Sequence, residues 1–526
     1  MLFNSYEFIF AFLPLSVLGF FLLERMGRRR EAIAWLVVAS LFFYGWWNPP
    51  YLALLVASIV FNFLVGSRLA RRSVAPRRVD KALLLFGVAV NLAAIGYFKY
   101  ANFFVGNVNA LAGTDYNLGT IVLPLAISFF TFQQITFLVD SYRGETTEFS
   151  FLHYCLFVSF FPQLIAGPIV HHSEMLPQFR HHDAGRFSHT NLAVGLTIFA
   201  MGLFKKAVLA DGVAVYATPV FNAAEAGQTL DFFTAWAAAL AYTIQLYFDF
   251  SGYSDMAIGA ARIFGITLPL NFNSPYKATS IIDFWRRWHM TLSRFLRDYV
   301  YISLGGNRHG PTRRHVNLMG TMLLGGLWHG AGWTFVVWGG LHGAYLVINH
   351  VWTRFRALRH GGVAPEHGPL GQALAWALTF VAVVVGLVFF RALTFDGALT
   401  ILTGMTGLNG IELPAAIGLR LGGLGDLLTG LGIQFTPGGG ARFVAAWSWI
   451  IALMAIVLML PNTQQVMALY APALDFHVGR SDTGHGPVMR RLRWHPTQVW
   501  SLLAAVILCT GLLALPEVTE FLYFQF

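Results

Sequence analysis

Long apolar segments constrain this chain more than any other sequence feature. Most approach the ~20 residues that a helix needs to cross a bilayer. They occupy residues 8–23, 31–46, 50–67, 82–98, 119–139, 150–170, 191–210, 232–248, 316–350, 369–392, 443–461 and 498–515. Charged residues make up 11% of the chain, against about a quarter in soluble domains. The pattern predicts an all-α, polytopic integral membrane protein with about 10–13 transmembrane or re-entrant helices.

The basic residues predict the orientation of the chain in the membrane. The formal net charge of +10 lies in short clusters between apolar segments, which does not indicate a nucleic-acid-binding surface. The first two clusters contain Arg25, Arg28, Arg29 and Arg30, and then Arg68, Arg71, Arg72, Arg77, Arg78 and Lys81. A third, with Arg490, Arg491 and Arg493, precedes the last apolar segment. If all three are cytoplasmic, both termini are extracytoplasmic.

The cysteines and the paired histidines do not predict a metal site. The two cysteines, Cys155 and Cys509, are too few for a disulfide framework or a cysteine-based metal site. The segment HHSEMLPQFRHH contains His171, His172, His181 and His182. It has no carboxylate cluster at a familiar spacing, so we predict a solvated loop and no bound metal.

The glycine-rich residues 403–440 are expected to form an irregular connection, with an interfacial helix at most.

Residues 271–310 combine aromatic residues with closely spaced charges. Ser280 and Asp283 form a helix-start signal, and the apolar residues that follow recur at helical spacing. We therefore predict an amphipathic helix on the cytoplasmic side of the membrane. Within it, His289 on its own is more typical of a structural residue than of a catalytic one.

The polar residues of this segment have two interpretations. They are Arg286, Arg287, Arg294 and Arg297, followed by a turn that contains Gly305, Gly306, Asn307 and Arg308. Such a surface suits the phosphates of a cytoplasmic donor. Alternatively, the arginines anchor the helix to anionic lipid, helped by local pairs such as Asp283 with Arg287 and Arg294 with Asp298.

His329 lies inside an apolar segment, in the sequence GGLWHGAGWTF. Ionisable residues within membrane segments usually line cavities or reaction paths, so a functional role is favoured over packing. About fifteen helical residues separate it from Arg314, which carries the chain roughly 22 Å, past the middle of the bilayer core. A neutral imidazole at that depth suits a general base toward a hydroxyl group. His342, further along, is expected to be a packing residue.

A second polar group interrupts the apolar segment QLYFDFSGYSDMAIG. Its members, Asp249, Ser251, Tyr253, Ser254 and Asp255, are expected to face the protein interior. A cation or substrate path is one interpretation. A hydrogen-bonded network that fixes a helix break at Gly252 is the other.

Three segments together resemble the core of the membrane-bound O-acyltransferase (MBOAT) family. They are QLYFDFSGYSDMAIG, FWRRWHMTLSRFLRDYVYISLGGNR and LLGGLWHGAGWTFVVWGGLHG. VLPLAISFFTFQQITFLVDSYRG, FFPQLIAGPIV and the tail FLYFQF are similar to the bacterial branch that includes the alginate O-acetyltransferase membrane component. The resemblance covers nearly the whole chain, and it implies one domain over residues 1–526, with a core near 119–350 and further membrane helices near 369–526.

The resemblance implies a function and assigns residues to it. The catalytic histidine of the family corresponds to His329, and the second prominent histidine to His289. The resemblance implies that an acyl group moves from a cytoplasmic thioester, here acetyl-CoA, to an extracytoplasmic acceptor, here alginate. It implies no bound cofactor, an inner-membrane location, and an extracytoplasmic SGNH-hydrolase-like partner within a polysaccharide secretion complex.

Three alternatives remain open at this stage. The same fold also serves D-alanyl transfer to teichoic acid and acyl transfer to peptidoglycan or cellulose, and the number of arginines favours coenzyme A over a carrier protein as donor. A transporter also uses intramembrane histidine and aspartate residues, although its usual paired broken helices are not evident. A catalytically silent scaffold would keep the fold and tolerate the loss of His329.

Overall fold

The structure is a computed structural model that describes all residues except 72–77, 147–149, 181–185, 363–367, 475, 477–490, 516–521 and 523–526. Several predicted features therefore lie outside the described residues. They are Arg72, Arg77, His181, His182, Arg490 and most of the tail FLYFQF. The chain divides into two compact units. The first comprises Met1–Phe204, Phe250–Asn271 and Thr463–Gln525, and the second comprises Lys205–Asp249 and Phe272–Asn462.

The described residues of the first unit form helices joined by loops. Its helices are α1 (Leu13–Arg25), α2 (Arg29–Gly45), α3 (Pro49–Ala70), α4 (Arg78–Ile95), α5 (Ala101–Ala112), α6 (Ile127–Arg143), α7 (Phe151–Ser159), α8 (Phe161–Leu164), α9 (His172–Arg180) and α10 (His189–Phe204). Short π-helical stretches precede α1 (Phe8–Phe12) and α5 (Gly96–Tyr100).

The second unit begins with a π-helical stretch, Lys205–Ala210, and α11 (Asp211–Glu225). Helix α12 (Phe232–Ile263) runs through the division between the two units. The elements that follow are a 3-10 turn (Pro275–Lys277), α13 (Ile281–Trp285), α14 (Met290–Phe295), a π-helical stretch (Leu296–Tyr301), α15 (Gly310–His329), α16 (Trp333–Arg359), α17 (Pro369–Arg391), α18 (Phe395–Met405), β1 (Ile411–Pro414), α19 (Ala415–Leu421), α20 (Gly423–Gly430), β2 (Ile433–Thr436) and α21 (Gly440–Met459). In the first unit, α22 (Thr463–Val466), a 3-10 turn (Ala468–Tyr470) and α23 (Gln498–Leu513) complete the order.

The predicted fold class is confirmed: the protein is an all-α, multi-pass membrane protein. In the described part of the chain, six helical stretches are long and apolar enough to cross a bilayer. They are Phe8–Arg25, Pro49–Ala70, Arg78–Ala112, His189–Glu225, Pro369–Arg391 and Gly440–Met459. The predicted total of about 10–13 spanning or re-entrant helices, and the single domain over 1–526, stay predictions.

Residues 150–170 and the region around Gly252 differ from their predicted form. Residues 150–170 contain two short helices, α7 and α8, instead of one span. Helix α12 continues through Gly252, so the predicted break there is wrong. Helix α10 packs closely against α12 here: a Cβ added at Gly202 in α10 would lie 2.6 Å from the carbonyl oxygen of Gly252, which explains the glycine at position 202.

The glycine-rich residues 403–440 are more ordered than predicted. Strands β1 and β2 pair in parallel, with Ile411 opposite Ile433, and α19 and α20 form the connection between them. The N-terminus of α18 nearby is held by Glu225. Its carboxylate accepts hydrogen bonds from the backbone nitrogen of Leu393 at 2.7 Å and from the hydroxyl of Thr394 at 2.6 Å.

Helices α15 and α16 form a hairpin whose closest approach depends on glycine. An added Cβ at Gly326 would overlap the backbone carbonyl oxygen of Phe335 and lie 3.0 Å from the Cα of Gly339. A Cβ at Gly340, on the next residue of α16, would meet only the side chain of Leu323 at an ordinary 3.6 Å. Small residues thus allow the two backbones to touch, as is common between membrane helices.

The Gly326→Ala substitution is expected to destabilise the protein by about 1–3 kcal/mol, because backbone atoms cannot move aside as a flexible side chain can. Thermal unfolding of the detergent-purified protein measures this change. Gly340→Ala is the matched control, since it makes the same chemical change in the same hairpin without the overlap. Equal melting temperatures for the two variants would contradict the close approach.

Candidate active site

His329 is the last residue of α15, next to the break that separates α15 from α16. The chain leaves the helix in extended conformation at Gly330 (φ −159°, ψ 152°) and re-enters helix after Gly332. The side chain is buried, with 5% of the residue exposed. The predicted apolar segment 316–350 is therefore a hairpin, and His329 lies at its tip.

Aromatic rings surround His329 on several sides. Its ring centroid lies 4.8 Å from that of Trp328, 5.0 Å from Trp338 in α16 and 5.0 Å from Phe390 in α17. All three contacts are steep or edge-on, with interplanar angles of 70° to 86°. The imidazole is thus held by packing between helices of the second unit.

His289 approaches the same place from the segment between α13 and α14. Its ring centroid is 6.5 Å from that of His329 and 6.1 Å from that of Trp328. The residue is fully buried and takes a left-handed backbone conformation (φ 42°, ψ 53°). A non-glycine residue is strained there, and such strain persists only where the surroundings over-determine it.

The predicted continuous amphipathic helix over this segment is wrong, although its start is correct. The Ser280 hydroxyl accepts a hydrogen bond from the backbone nitrogen of Asp283 at 3.1 Å, as the start signal predicts. The helix then stops after five residues, and α14 begins only after His289. The backbone nitrogen of Asn273 donates to the carbonyl of Arg287 at 2.9 Å, so a tertiary contact shapes the break.

The surroundings of His289 favour its neutral form. The residue lies outside the six apolar spans, and burial lowers the pKa of its imidazole from 6.5 to about 3. The ring is therefore uncharged at neutral pH. A neutral imidazole can donate one hydrogen bond and accept another, which a protonated ring cannot do.

His342, predicted to be a packing residue, extends the same ring cluster. Its centroid lies 4.8 Å from that of Trp338 and 5.3 Å from that of Trp285. Among the described residues, neither ring nitrogen of His342 has a hydrogen-bond partner. Its contacts are thus ring contacts, as packing predicts.

The predicted donor-binding arginines differ in their surroundings. Arg286 is exposed, Arg294 is half-buried, and Arg287 pairs with Asp283 at 2.9 Å as predicted. Arg297 is exposed and forms two hydrogen bonds with Asp298, at 2.7 and 3.0 Å. Arg286 therefore presents positive charge at the surface, whereas the charge of the exposed Arg297 is paired with that of Asp298.

Asn307 and Arg308 lie in an exposed turn before α15, as predicted. Gly305 and Gly306 both take positive φ values there, 106° and 55°. The Asn317 side chain in α15 donates to the carbonyl of Gly306 at 2.8 Å and fixes the turn. The exposed pair is thus attached to the helix that ends at His329.

The predicted burial of the polar residues in α12 is confirmed. Asp249, Ser251, Tyr253, Ser254 and Asp255 are all at most 3% exposed. Asp255, in the first unit, accepts hydrogen bonds from Thr463 at 2.7 Å and Gln464 at 2.8 Å. These bonds support a hydrogen-bonded network, although not the helix break that it was predicted to fix.

Sequence reasoning missed the partner of Asp249. The Lys206 ammonium lies 2.7 Å from an oxygen of Asp249 and 2.8 Å from one of Asp211, all within the second unit. The signal was a lysine within the apolar segment 191–210, where a cation requires a buried partner.

The prediction of a solvated loop is wrong for His172, which is 3% exposed. It lies with His171 beside Asp140, the C-terminal acidic residue of α6. About thirty residues separate the aspartate from the two histidines, so no short spacing could reveal the contact.

Comparison with known proteins identifies the family. Residues 140–390 match the sequence model of the membrane-bound O-acyltransferase family. The chain is 47% identical to the peptidoglycan O-acetyltransferase of Helicobacter pylori, over 78% of this chain and 81% of that protein. The chain belongs to the membrane-bound O-acyltransferase family. It is also 44% identical to a probable alginate O-acetylase of Azotobacter vinelandii, over 76% of each chain.

The family resemblance is therefore confirmed, and the protein is an acyltransferase. Similarity extends further, at 27% identity over 52% of this chain, to the teichoic acid D-alanyltransferase of Streptococcus thermophilus, of which it covers 69%. The family match contains both His289 and His329. The catalytic roles of the two histidines, and donor binding by the arginines, stay predictions.

Proposed function

We propose that this acyltransferase moves an acetyl group from cytoplasmic acetyl-CoA to a hydroxyl outside the membrane, for O-acetylation of an exported polysaccharide. The observation that carries the proposal is the pair of buried histidines, His289 and His329, with ring centroids 6.5 Å apart. Two relatives whose names include O-acetyl transfer, one on peptidoglycan and one on alginate, support the acetyl group. Alginate is the polysaccharide that we propose as the final acceptor.

His329 is the general base in this proposal. Its neutral imidazole accepts the proton of the acceptor hydroxyl as the hydroxyl oxygen attacks the thioester carbonyl carbon. The carbon–sulfur bond then breaks, the proton passes from the imidazolium to the leaving thiolate, and the products are an ester and free coenzyme A. The aromatic surroundings limit water, which protects the thioester from hydrolysis.

The donor approaches from the cytoplasmic side in this proposal. Arg286, Arg297 and Arg308 are exposed and suit the phosphates of coenzyme A. Helix α15 is continuous from Gly310 to His329, so about fifteen residues beyond Arg314 the backbone has advanced roughly 22 Å along the helix. A long pantetheine arm fits that depth, and His289 would contact the thioester end.

The acceptor and its delivery belong to the extracytoplasmic side. We propose that the protein lies in the bacterial inner membrane, with both termini outside, and works with an SGNH-hydrolase-like partner in a polysaccharide secretion complex. The first acceptor is then a serine hydroxyl of the partner, which passes the acetyl group to the polymer.

A labelled-donor experiment tests this function. Membranes that contain the protein and its secretion partners are incubated with acetyl-CoA labelled in the acetyl group, and in parallel with D-alanyl carrier protein. Label is expected in ester linkage on alginate, or on the partner serine, from acetyl-CoA alone. Ester-linked label on peptidoglycan would show that peptidoglycan, and not alginate, is the acceptor. Transfer from the D-alanyl carrier protein would show that it, and not acetyl-CoA, is the donor. No transfer from either donor would overturn the proposal.

A further inference from the structure

Three metal-ligating side chains of the first unit converge outside the candidate active site. Asp140 is near the C-terminus of α6, and His171 and His172 are at the start of α9. The Nε2 atoms of His171 and His172 lie 2.7 and 3.1 Å from the same carboxylate oxygen of Asp140, Oδ2. One ligand atom from each residue lies within 4.8 Å of the other two.

The local structure orients both imidazoles. The Nδ1 of His171 lies 2.5 Å from the Ser173 hydroxyl, and its backbone nitrogen donates to the Glu174 carboxylate at 3.0 Å. The ring of His172 stands edge-on to Phe137, with centroids 6.1 Å apart. The contact at Nδ1 of His171 is typical of a metal-ligating histidine, because a bond at one ring nitrogen fixes the direction of the other.

The distances fit a small divalent cation after a minor adjustment. Zinc bonds of about 2.0–2.1 Å in a tetrahedron place neighbouring ligand atoms roughly 3.3 Å apart. The two nitrogens, at 2.7 and 3.1 Å from Oδ2, need to move about 0.6 and 0.2 Å away from it to reach that separation. The Arg143 guanidinium lies 3.8 Å from the other carboxylate oxygen, Oδ1.

The burial of the three side chains indicates which coordination positions of a bound ion are closed to solvent. The side chains of Asp140 and His172 are 1% and 4% exposed, whereas that of His171 is 26% exposed. An ion would thus have three protein ligands and an open fourth position on the His171 side, where water can complete the tetrahedron.

We propose that Asp140, His171 and His172 bind a divalent transition-metal ion, zinc first, that joins the end of α6 to the start of α9. Two imidazoles and one carboxylate are a ligand set that zinc and iron(II) favour. The ion strengthens the fold of the first unit by linking two segments about thirty residues apart, because an ion that binds only the folded state stabilises that state. The proposal does not depend on the proposed acetyl transfer.

The metal content of the purified full-length protein tests this site. The protein is purified in detergent through a tag without histidines, and its metals are measured by mass spectrometry. We expect about one zinc ion per chain, and a lower melting temperature after chelation that added zinc restores. Asp140→Asn and His172→Ala are expected to lose most of the metal.

His189→Ala is the matched control, since His189 is an exposed histidine at the start of α10 in the same unit. It is expected to keep the metal and the melting temperature of the wild type. If Asp140→Asn or His172→Ala fails to fold, His171→Ala tests the site instead, because His171 is the least buried of the three ligands. Stoichiometric iron or manganese would support the site with a different ion. No bound metal, together with no stabilisation by added zinc, iron or manganese, would overturn the proposal and leave a hydrogen-bonded His–Asp–His cluster.

Discussion

Replacing His329 with alanine is expected to abolish acetyl transfer while leaving the protein in the membrane at the wild-type level. A general base typically contributes about 10²–10⁴-fold to the rate, and the buried position leaves little room for water to take its place. The measurement is ester-linked acetyl on the exopolysaccharide of a deletion strain complemented with either form, with membrane levels matched. Acetylation at the wild-type level would contradict catalysis by His329 and favour a scaffold.

His342→Leu is the matched control for this experiment. Both histidines are buried in the second unit, and both contact the ring of Trp338. Neither ring nitrogen of His342 has a hydrogen-bond partner in the described part of the chain, so an apolar side chain of similar size should serve there. We expect His342→Leu to retain most of the acetyl transfer. Equal loss in both variants would point to general damage of the ring cluster.

The sequence predicted those features of the site that depend on local chemistry. The burial of His329 followed from its apolar neighbours, and the start of α13 followed from Ser280 and Asp283. The break before His289 could not be predicted in this way. Its apolar residues keep helical spacing across the break, and a contact from Asn273, more than ten residues earlier, shapes the backbone there.

Contacts between distant segments account for the other differences. Asp140 reaches His171 and His172 only through the packing of the first unit, and all of α11 and the first half of α12 separate Lys206 from Asp249 along the chain. Periodicity and motif spacing describe single segments of the sequence. They therefore predict which helix or loop contains a residue, but not which residue of a distant segment it contacts.

The cluster of Lys206, Asp211 and Asp249 places three ionisable groups inside the second unit. Lys206 is 1% exposed and Asp249 is 2% exposed. Lys206 and Asp211 belong to the long apolar stretch His189–Glu225. One ammonium there contacts two carboxylates, at 2.7 and 2.8 Å. Removal of one member of a buried ionic group is far more costly than replacement of the whole group by neutral residues.

Lys206→Met is therefore expected to destabilise the protein by about 3–5 kcal/mol, because it leaves buried carboxylates without their shared cation. This is a large part of the roughly 5–15 kcal/mol that usually separates folded from unfolded protein. The yield of monodisperse protein in detergent and its melting temperature should both fall. The triple variant K206M/D211N/D249N removes all three charges and should recover a substantial part of both, because no charge is then buried alone. If Lys206→Met alone matches the wild type, or if the triple variant is no better than the single one, the cluster is hydrated and the ion pairs contribute little to the fold.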